Sequence, residues 1–153
     1  MRLLYTIFLL IFLSACVSYI EPDKIVKKIV SDFPNDEGEY KSYLILSENF
    51  CGYCPNISDS VVINSVLKNY PIRVIFVYRE KNLNSLFKKF DSDILQNKKI
   101  FIDTERKYHY PIQDDKAYYP MILYLKKNRI TKVEFQNEKN PYAIFNLIKF
   151  LEK

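Results

Sequence analysis

The fold is decided by residues 40–78, which read YKSYLILSENFCGYCPNISDSVVINSVLKNYPIRVIFVY. Residues 40–48 have a continuous apolar centre, which is typical of a strand covered on both faces of its sheet. Residues 54–69 carry apolar side chains at helical spacing, with Pro55 in the first turn, where a missing N–H is harmless. Residues 71–78 form a second apolar run. The stretch therefore predicts a β-α-β unit with parallel strands, and it sets Cys51-Gly52-Tyr53-Cys54 between the first strand and the helix.

The remaining segments predict helices and strands that complete an α/β domain. We expect helices over residues 23–33 and about 83–95, a short strand at 99–103, and a hairpin of 121–126 with 130–136. A last helix follows Asn140-Pro141, read as its cap and first turn. Together they predict a central mixed sheet of about four to five strands flanked by helices. The side chains expected to face inward are Val26, Ile29, Val30 and Phe33; Ile57, Val61, Val62, Val66 and Leu67; Leu83, Leu86, Phe87, Phe90, Ile94 and Leu95; and Ile144, Phe145, Ile148 and Leu151.

The composition bounds the class of protein. The 153 residues are 48% hydrophobic and 27% charged with only two glycines, which excludes a disordered polyelectrolyte and a collagen-like chain. The 23 basic residues exceed the 18 acidic ones, but they are interleaved with them along the whole chain. No basic stripe results, so nucleic-acid binding is not expected. We expect one domain and a monomer.

The first residues have the three parts of a secretory signal. Arg2 gives a positive start, residues 3–13 are apolar apart from Thr6, and small residues stand at Ser14 and Ala15. Eleven residues of helix reach roughly 16 Å, about half of the hydrocarbon thickness of a bilayer. The run is therefore short for a spanning anchor.

The end of this signal, Leu13-Ser14-Ala15-Cys16, resembles the lipobox of bacterial lipoproteins. The resemblance implies cleavage after residue 15 and acylation of Cys16, so that residues 16–22 are a lipidated tether and residues 23–153 the domain. It also implies a location outside the cytoplasm, on the periplasmic face of the inner or the outer membrane, with the acyl chains in the bilayer. The alternative is an ordinary signal peptide with a cysteine at its end by chance.

The remaining cysteines, Cys51 and Cys54, allow four kinds of site. Haem attachment needs His at position 55, which is Pro55. A structural zinc needs about four ligands, and His109 is the only histidine of the chain. A structural disulfide over two residues gains little from loop closure. A redox-active dithiol fits best, because the close spacing lets the disulfide form and open easily. The helix N-terminus beside the first cysteine stabilises a thiolate, and we expect the exchange to need no cofactor.

With a strand before the pair, a helix after it and a proline opening a later hairpin strand, residues 23–153 resemble the thioredoxin fold. The resemblance implies that Cys51 attacks a substrate disulfide and that Cys54 resolves the mixed disulfide. It further implies that Tyr119 and a cis Pro120 hold the extended substrate chain. Pro111 is the rival for this position, but polar residues follow it where a strand would be expected.

The residues around the pair depart from the family pattern. Phe50 replaces the tryptophan of thioredoxin, and Gly52-Tyr53 is similar to the periplasmic disulfide isomerases. Phe50 and Tyr53 would form an apolar lip around a substrate disulfide. Acidic proton acceptors of the family are replaced by Ile45 and Ile57. Either Glu48 or Asp59 is the candidate substitute, while His109 receives no role.

The resemblance to tethered reductases of the TlpA and ResA type implies a membrane-anchored reductase of protein disulfides. Its expected partners are protein disulfide or dithiol substrates and a membrane redox partner. An oxidase or isomerase role is the neighbouring alternative. Two other classes remain open: a binding module of a surface complex in which the C-x-x-C is a permanent disulfide, and a protein that binds a thiophilic metal such as Cu(I) through the two thiolates.

Overall fold

The structure is a computed structural model that describes residues 22–34, 38–48, 55–109, 119–127 and 129–153. The predicted helices and strands are present with ends that shift by a few residues, except that the helix predicted over about 83–95 is divided into two, because the chain is extended at Phe90. Their order is α1 (Pro22–Asp32), β1 (Ser42–Ser47), α2 (Pro55–Leu67), β2 (Ile72–Val77), a 3-10 turn (Glu80–Asn82), α3 (Leu83–Lys89), α4 (Ser92–Leu95), β3 (Ile100–Asp103), β4 (Met121–Lys126), β5 (Arg129–Phe135) and α5 (Ala143–Leu151).

The strands form one five-stranded mixed sheet in the order β3-β2-β1-β4-β5. β1 pairs with β2 and β2 with β3 in parallel, whereas β4 is antiparallel to both β1 and β5. The predicted parallel β-α-β unit is therefore confirmed. The α/β class with a mixed sheet flanked by helices is confirmed as well, and the architecture is compatible with a thioredoxin-like fold.

β1 is the central strand, and all six of its residues are buried. It is hydrogen-bonded to β2 along its whole length and to β4 from Ser42 to Ile45. Leu44 and Leu46 pack into one hydrophobic core, while Tyr43 and Ile45 pack into the other. The continuous apolar run of the sequence follows from this burial on both faces.

Each face of the sheet has its own hydrophobic core. On one face, α2, α3, α4 and α5 cover the sheet through residues such as Val61, Val62, Leu86 and Leu147. On the other face, α1 packs through Ile25 and Ile29, and Tyr108 from the segment after β3 joins it. The rings of Phe33, Phe101 and Tyr108 meet there at centroid distances of 5.1–6.1 Å.

The buried face of α2 differs from the predicted one. Ile57 and Leu67 were expected to face inward, but their exposed fractions are 45% and 72%. The fully buried residues are Ser58, Val61, Val62 and Ser65, which follow the i, i+3, i+4, i+7 spacing of one helix face. Apolar side chains lie on all sides of α2, so their periodicity does not define the buried face of the helix. Two small residues, Ser58 and Ser65, belong to that buried face.

The other helices show the same kind of error at single positions. Val30, Phe87 and Phe145 were also predicted to face inward, and they are 39%, 54% and 49% exposed. In α5, the buried positions are Ala143, Ile144, Leu147 and Leu151. A small residue, alanine, takes the inner position nearest the start of the helix, so the bulky Phe145 is turned outward.

The cap of α5 is supplied from the sheet and not by the predicted Asn140-Pro141. The helix begins at Ala143, and its N-cap residue, Tyr142, makes no capping bond with its side chain. Instead the amide of Gln136, directly after β5, donates to the carbonyl of Pro141 and accepts the N–H of Ile144 at 2.9 Å. Gln136 is 5% exposed; its bond with Ile144 is buried and its bond with Pro141 is partly buried.

Replacing Gln136 tests this long-range cap. We expect Gln136→Ala to lower the free energy of unfolding by about 1–3 kcal/mol, because it leaves the buried N–H of Ile144 without its partner and removes the bond to the carbonyl of Pro141. The measurement is urea unfolding followed by circular dichroism, with Gln96→Ala at an exposed position as the control. A Gln136→Ala protein as stable as the control would show that the bonds contribute nothing.

Candidate functional site

The candidate site lies at the edge of the sheet where the parallel strands end. β1, β2 and β3 all run toward this edge, and β4 starts there, because Ile45 near the end of β1 pairs with Met121 at the beginning of β4. In open α/β sheets, ligands bind outside the carboxyl ends of parallel strands. The side chains at this edge are therefore the candidates for binding or catalysis.

Two of the predicted site residues, Tyr119 and Pro120, stand directly before β4 at this edge. Pro120 is buried and Tyr119 is half-buried. The carbonyl of Pro120 accepts the N–H of Gln136 at 3.0 Å, which extends the β4–β5 ladder by one bond. Pro120 thus leads straight into a buried strand, as the sequence predicted.

The conformation of this proline differs from the one implied by the resemblance. No peptide bond within the described residues is cis, so the Tyr119–Pro120 bond is trans. The trans form is favoured by about 0.5–1 kcal/mol for a bond that precedes proline. The chain enters β4 in the extended form that the ladder bond requires, without an isomerised bond.

The remaining predicted site residues, Cys16, Phe50, Cys51, Tyr53 and Cys54, lie outside the described residues. The two ends of the segment that holds the C-x-x-C are described. It leaves the sheet after Glu48, which follows the last residue of β1, and it ends at Pro55, the first residue of α2. The structure therefore defines the edge of the sheet from which this segment starts.

Glu48 is a buried anchor at this edge. Its Oε1 forms an ion pair with the Nε of Arg79 at 3.0 Å, and its Oε2 accepts the backbone N–H of Arg79 at 2.9 Å and the Nδ2–H of Asn82 at 2.8 Å. Its side chain is 4% exposed and that of Arg79 is 44% exposed. These bonds tie the end of β1 to the segment after β2.

The same contacts hold Glu48 in its charged form. Burial has the largest influence and raises the pKa of Glu48, but the bonds from Arg79 and Asn82 and the charges of Arg79 and Arg106 outweigh it. The pKa of Glu48 ends below its ordinary value. A carboxylate that is hard to protonate is a poor proton acceptor, which argues against one of the two candidates named from the sequence.

Asp59, the second candidate proton acceptor, is paired with a lysine. Its Oδ1 lies 2.7 Å from the Nζ of Lys89 in α3, which joins α2 to the helix beside it. Tyr78, at the end of β2, stands in the field of both acidic groups. Burial first, then the charges of Asp59 and Glu48, raise the pKa of Tyr78, so its hydroxyl stays protonated.

Arg106 and His109 complete the edge, and neither was predicted to belong to it. The Nη2 of Arg106 lies 2.9 Å from Nε2 and 3.1 Å from Nδ1 of the His109 ring. Burial, followed by the charges of Arg106 and Arg79, lowers the pKa of His109, which outweighs the opposite effect of Glu48 and Asp103. His109 is therefore neutral at pH 7. Its aromatic neighbours in sequence gave no sign of this arginine contact.

The chain matches no protein-family model, and it matches no curated protein. Among the described residues, no group of three or more His, Cys, Asp or Glu side chains is placed to hold a metal ion. In the same part of the chain, no helix is long and apolar enough to cross a membrane.

The ion pair and the hydrogen bond between Glu48 and Arg79 predict that the free energy of unfolding depends on pH. Glu48→Gln should lower the free energy of unfolding at pH 7 by about 1–2 kcal/mol, because a charged bond is lost and Arg79 is only partly screened by water. Since the folded pKa of Glu48 is lowered, its contribution is complete above the ordinary value of 4.5 and is lost as the pH falls through the folded pKa.

Urea unfolding of the wild type and Glu48→Gln at pH 7 and at pH 3 measures this dependence. The difference between the two proteins should shrink at the lower pH. Glu39→Gln is the matched control, because Glu39 and its partner Lys98 are both exposed. An equal loss in the two variants at pH 7 would contradict the anchoring role of Glu48.

Proposed function

We propose that this protein is a lipid-anchored, extracytoplasmic thiol-disulfide oxidoreductase that uses Cys51 and Cys54, with the protein disulfide reductases of the TlpA and ResA type as its nearest functional class. One observation carries the proposal. The segment that contains C-G-Y-C starts at the carboxyl end of the central strand, and Tyr119-Pro120 precedes the strand paired to that same end. The Cys51–Cys54 pair and a backbone segment that can bind an extended substrate would then lie at the same edge of the sheet.

The proposed reaction is a two-step exchange. The Cys51 thiolate attacks one sulfur of a substrate disulfide, so that a Cys51–substrate bond forms, the substrate S–S bond breaks and the second sulfur leaves as a thiolate. The Cys54 thiolate then attacks the sulfur of Cys51 and releases the first substrate thiol. The substrate gains two electrons and the Cys51–Cys54 pair loses them. A membrane dithiol partner would return these electrons.

The charges at the edge support a reactive thiolate. Arg79 pairs with Glu48, the last described residue before the segment that holds the cysteines, and the charge of Arg106 also acts on Glu48. Positive charge lowers the pKa of a nearby thiol. The start of α2 at Pro55 adds the positive end of a helix dipole. In this proposal Phe50 and Tyr53 line the approach to the substrate disulfide.

The reduction potential of the pair tests the proposed activity. Residues 17–153 would be equilibrated with glutathione redox buffers, and the free thiols would be trapped with a mass-tagged alkylating reagent. We expect a two-electron midpoint between about −270 and −120 mV, the range of thiol-disulfide oxidoreductases. In an insulin reduction assay Cys51→Ser should lose activity completely, while Cys54→Ser should accumulate the mixed disulfide.

A pair that stays oxidised below about −300 mV would behave as a structural disulfide and would overturn the proposal. The chain would then be treated as a binding module. Copper bound in equal amount to the reduced protein would instead favour the Cu(I)-binding alternative.

Acylation of Cys16 is tested separately. Cells grown with labelled palmitate should label the wild type and not Cys16→Ala, and the variant should move from the membrane to the soluble fraction. The reason is that two or more acyl chains hold a protein to a bilayer, with about 0.8 kcal/mol for each buried CH₂. If Cys16→Ala stays in the membrane, the segment before it acts as an anchor and the lipoprotein assignment is wrong.

A further inference from the structure

Arg106 has a strained backbone at the candidate site. Its φ is 58°, in the left-handed region, and the turn is closed by the N–H of His109, which donates to the carbonyl of Arg106 at 3.2 Å. A residue with a Cβ costs roughly 1–2 kcal/mol in this region, and arginine is not among the residues that adopt it readily. Strain that the surrounding structure maintains is a marker of functional positions.

The guanidinium of Arg106 is also short of partners. Its Nη2 contacts the neutral His109 ring, and its Nε is buried without a hydrogen-bond acceptor within the described residues. In that part of the chain it forms no ion pair with a carboxylate. Other cations of this region do form ion pairs with carboxylates: Arg79 with Glu48, Lys89 with Asp59 and Lys107 with Glu105.

The surroundings of Arg106 favour an anion. The charges of Arg79 and Arg106 act on both Glu48 and His109, so these four side chains share one neighbourhood. Glu48 is nearly fully buried and already bonded to Arg79 and Asn82, whereas the Arg79 side chain is 44% exposed. The side of the cluster that faces solvent therefore carries positive charge.

We propose that Arg106, with the exposed part of Arg79 beside it, is a carboxylate-binding subsite that makes the protein prefer disulfides with a carboxylate close to the sulfurs. The planar guanidinium presents donors in a fork that matches a carboxylate. This inference rests on the proposed function, because the subsite is assigned to the substrate of Cys51 and Cys54. It adds the chemical class of that substrate.

The test compares two small disulfides of opposite charge. The reduced protein is mixed with dithiobis(nitrobenzoate), which carries two carboxylates, or with cystamine, which carries two ammonium groups. Arg106→Gln should lower the ratio of the rate with dithiobis(nitrobenzoate) to the rate with cystamine about tenfold, because any effect of Arg106 on the thiolate itself is common to the two disulfides. Arg106→Lys, which keeps the charge but loses the fork, should fall between wild type and Arg106→Gln.

Arg129→Gln is the matched control. Arg129 is exposed and begins β5 at the opposite edge of the sheet. Arg129→Gln therefore removes one positive charge, as Arg106→Gln does, but far from the subsite. If Arg106→Gln and Arg129→Gln change the ratio of the two rates equally, the effect is one of net charge and the subsite is refuted. The reactivity of the cysteines, and with it the proposed function, would survive that result.

A second measurement is independent of the cysteines. Sodium succinate is titrated into the oxidised protein at constant ionic strength while the Nε–H signal of Arg106 is followed by NMR, the signal being assigned by its loss in Arg106→Gln. A saturable shift supports the subsite, whether or not the cysteines are reactive. If the wild-type thiols react with neither disulfide, that result overturns only the proposed function. A signal that does not move overturns the subsite.

Discussion

Hydrogen bonding of β1 on both sides, together with its burial on both faces, is the constraint on which the rest of the structure depends. The centre of a strand in that position must be apolar, because the side chains on both faces meet a core, and the buried Ser42 and Ser47 stand only at its two ends. Its two neighbours run in opposite directions, β2 parallel and β4 antiparallel. One edge of the sheet therefore collects the end of β1, the end of β2 and the beginning of β4, and side chains from three distant stretches of sequence meet there.

Burial at this edge determines the state of its acidic groups. A carboxylate removed from water is costly unless it is paired and hydrogen-bonded, and Glu48 satisfies both conditions through Arg79 and Asn82. Those bonds make Glu48 a structural anion at the point where the chain leaves β1. The same pairing leaves it unsuited to take up a proton, which argues against one of the two candidates for a substitute base.

The sequence predicted the elements, the parallel unit and the hairpin, because strand and helix periodicity and turn residues are local signals. It failed where the outcome depends on tertiary packing. In α2 apolar residues surround the helix, so only the structure shows that Ser58 is buried and that Leu67 is exposed. The Gln136 cap joins residues that the hairpin brings together, and no local motif marks it. The left-handed backbone of Arg106 likewise has no signal in the residue type.

The cations of this edge also bear on the direction of the proposed exchange. A positive charge that stabilises a thiolate stabilises the reduced dithiol, and a stabilised reduced form makes the disulfide a stronger oxidant, as in the most oxidising members of the range. In the proposed exchange, Arg79 and Arg106 would act in this direction, while the buried carboxylate of Glu48 would oppose them with a charge that Arg79 already pairs. The electrostatic contribution of the described edge to that exchange would therefore be oxidising. A reducing potential would require a compensating stabilisation of the disulfide form.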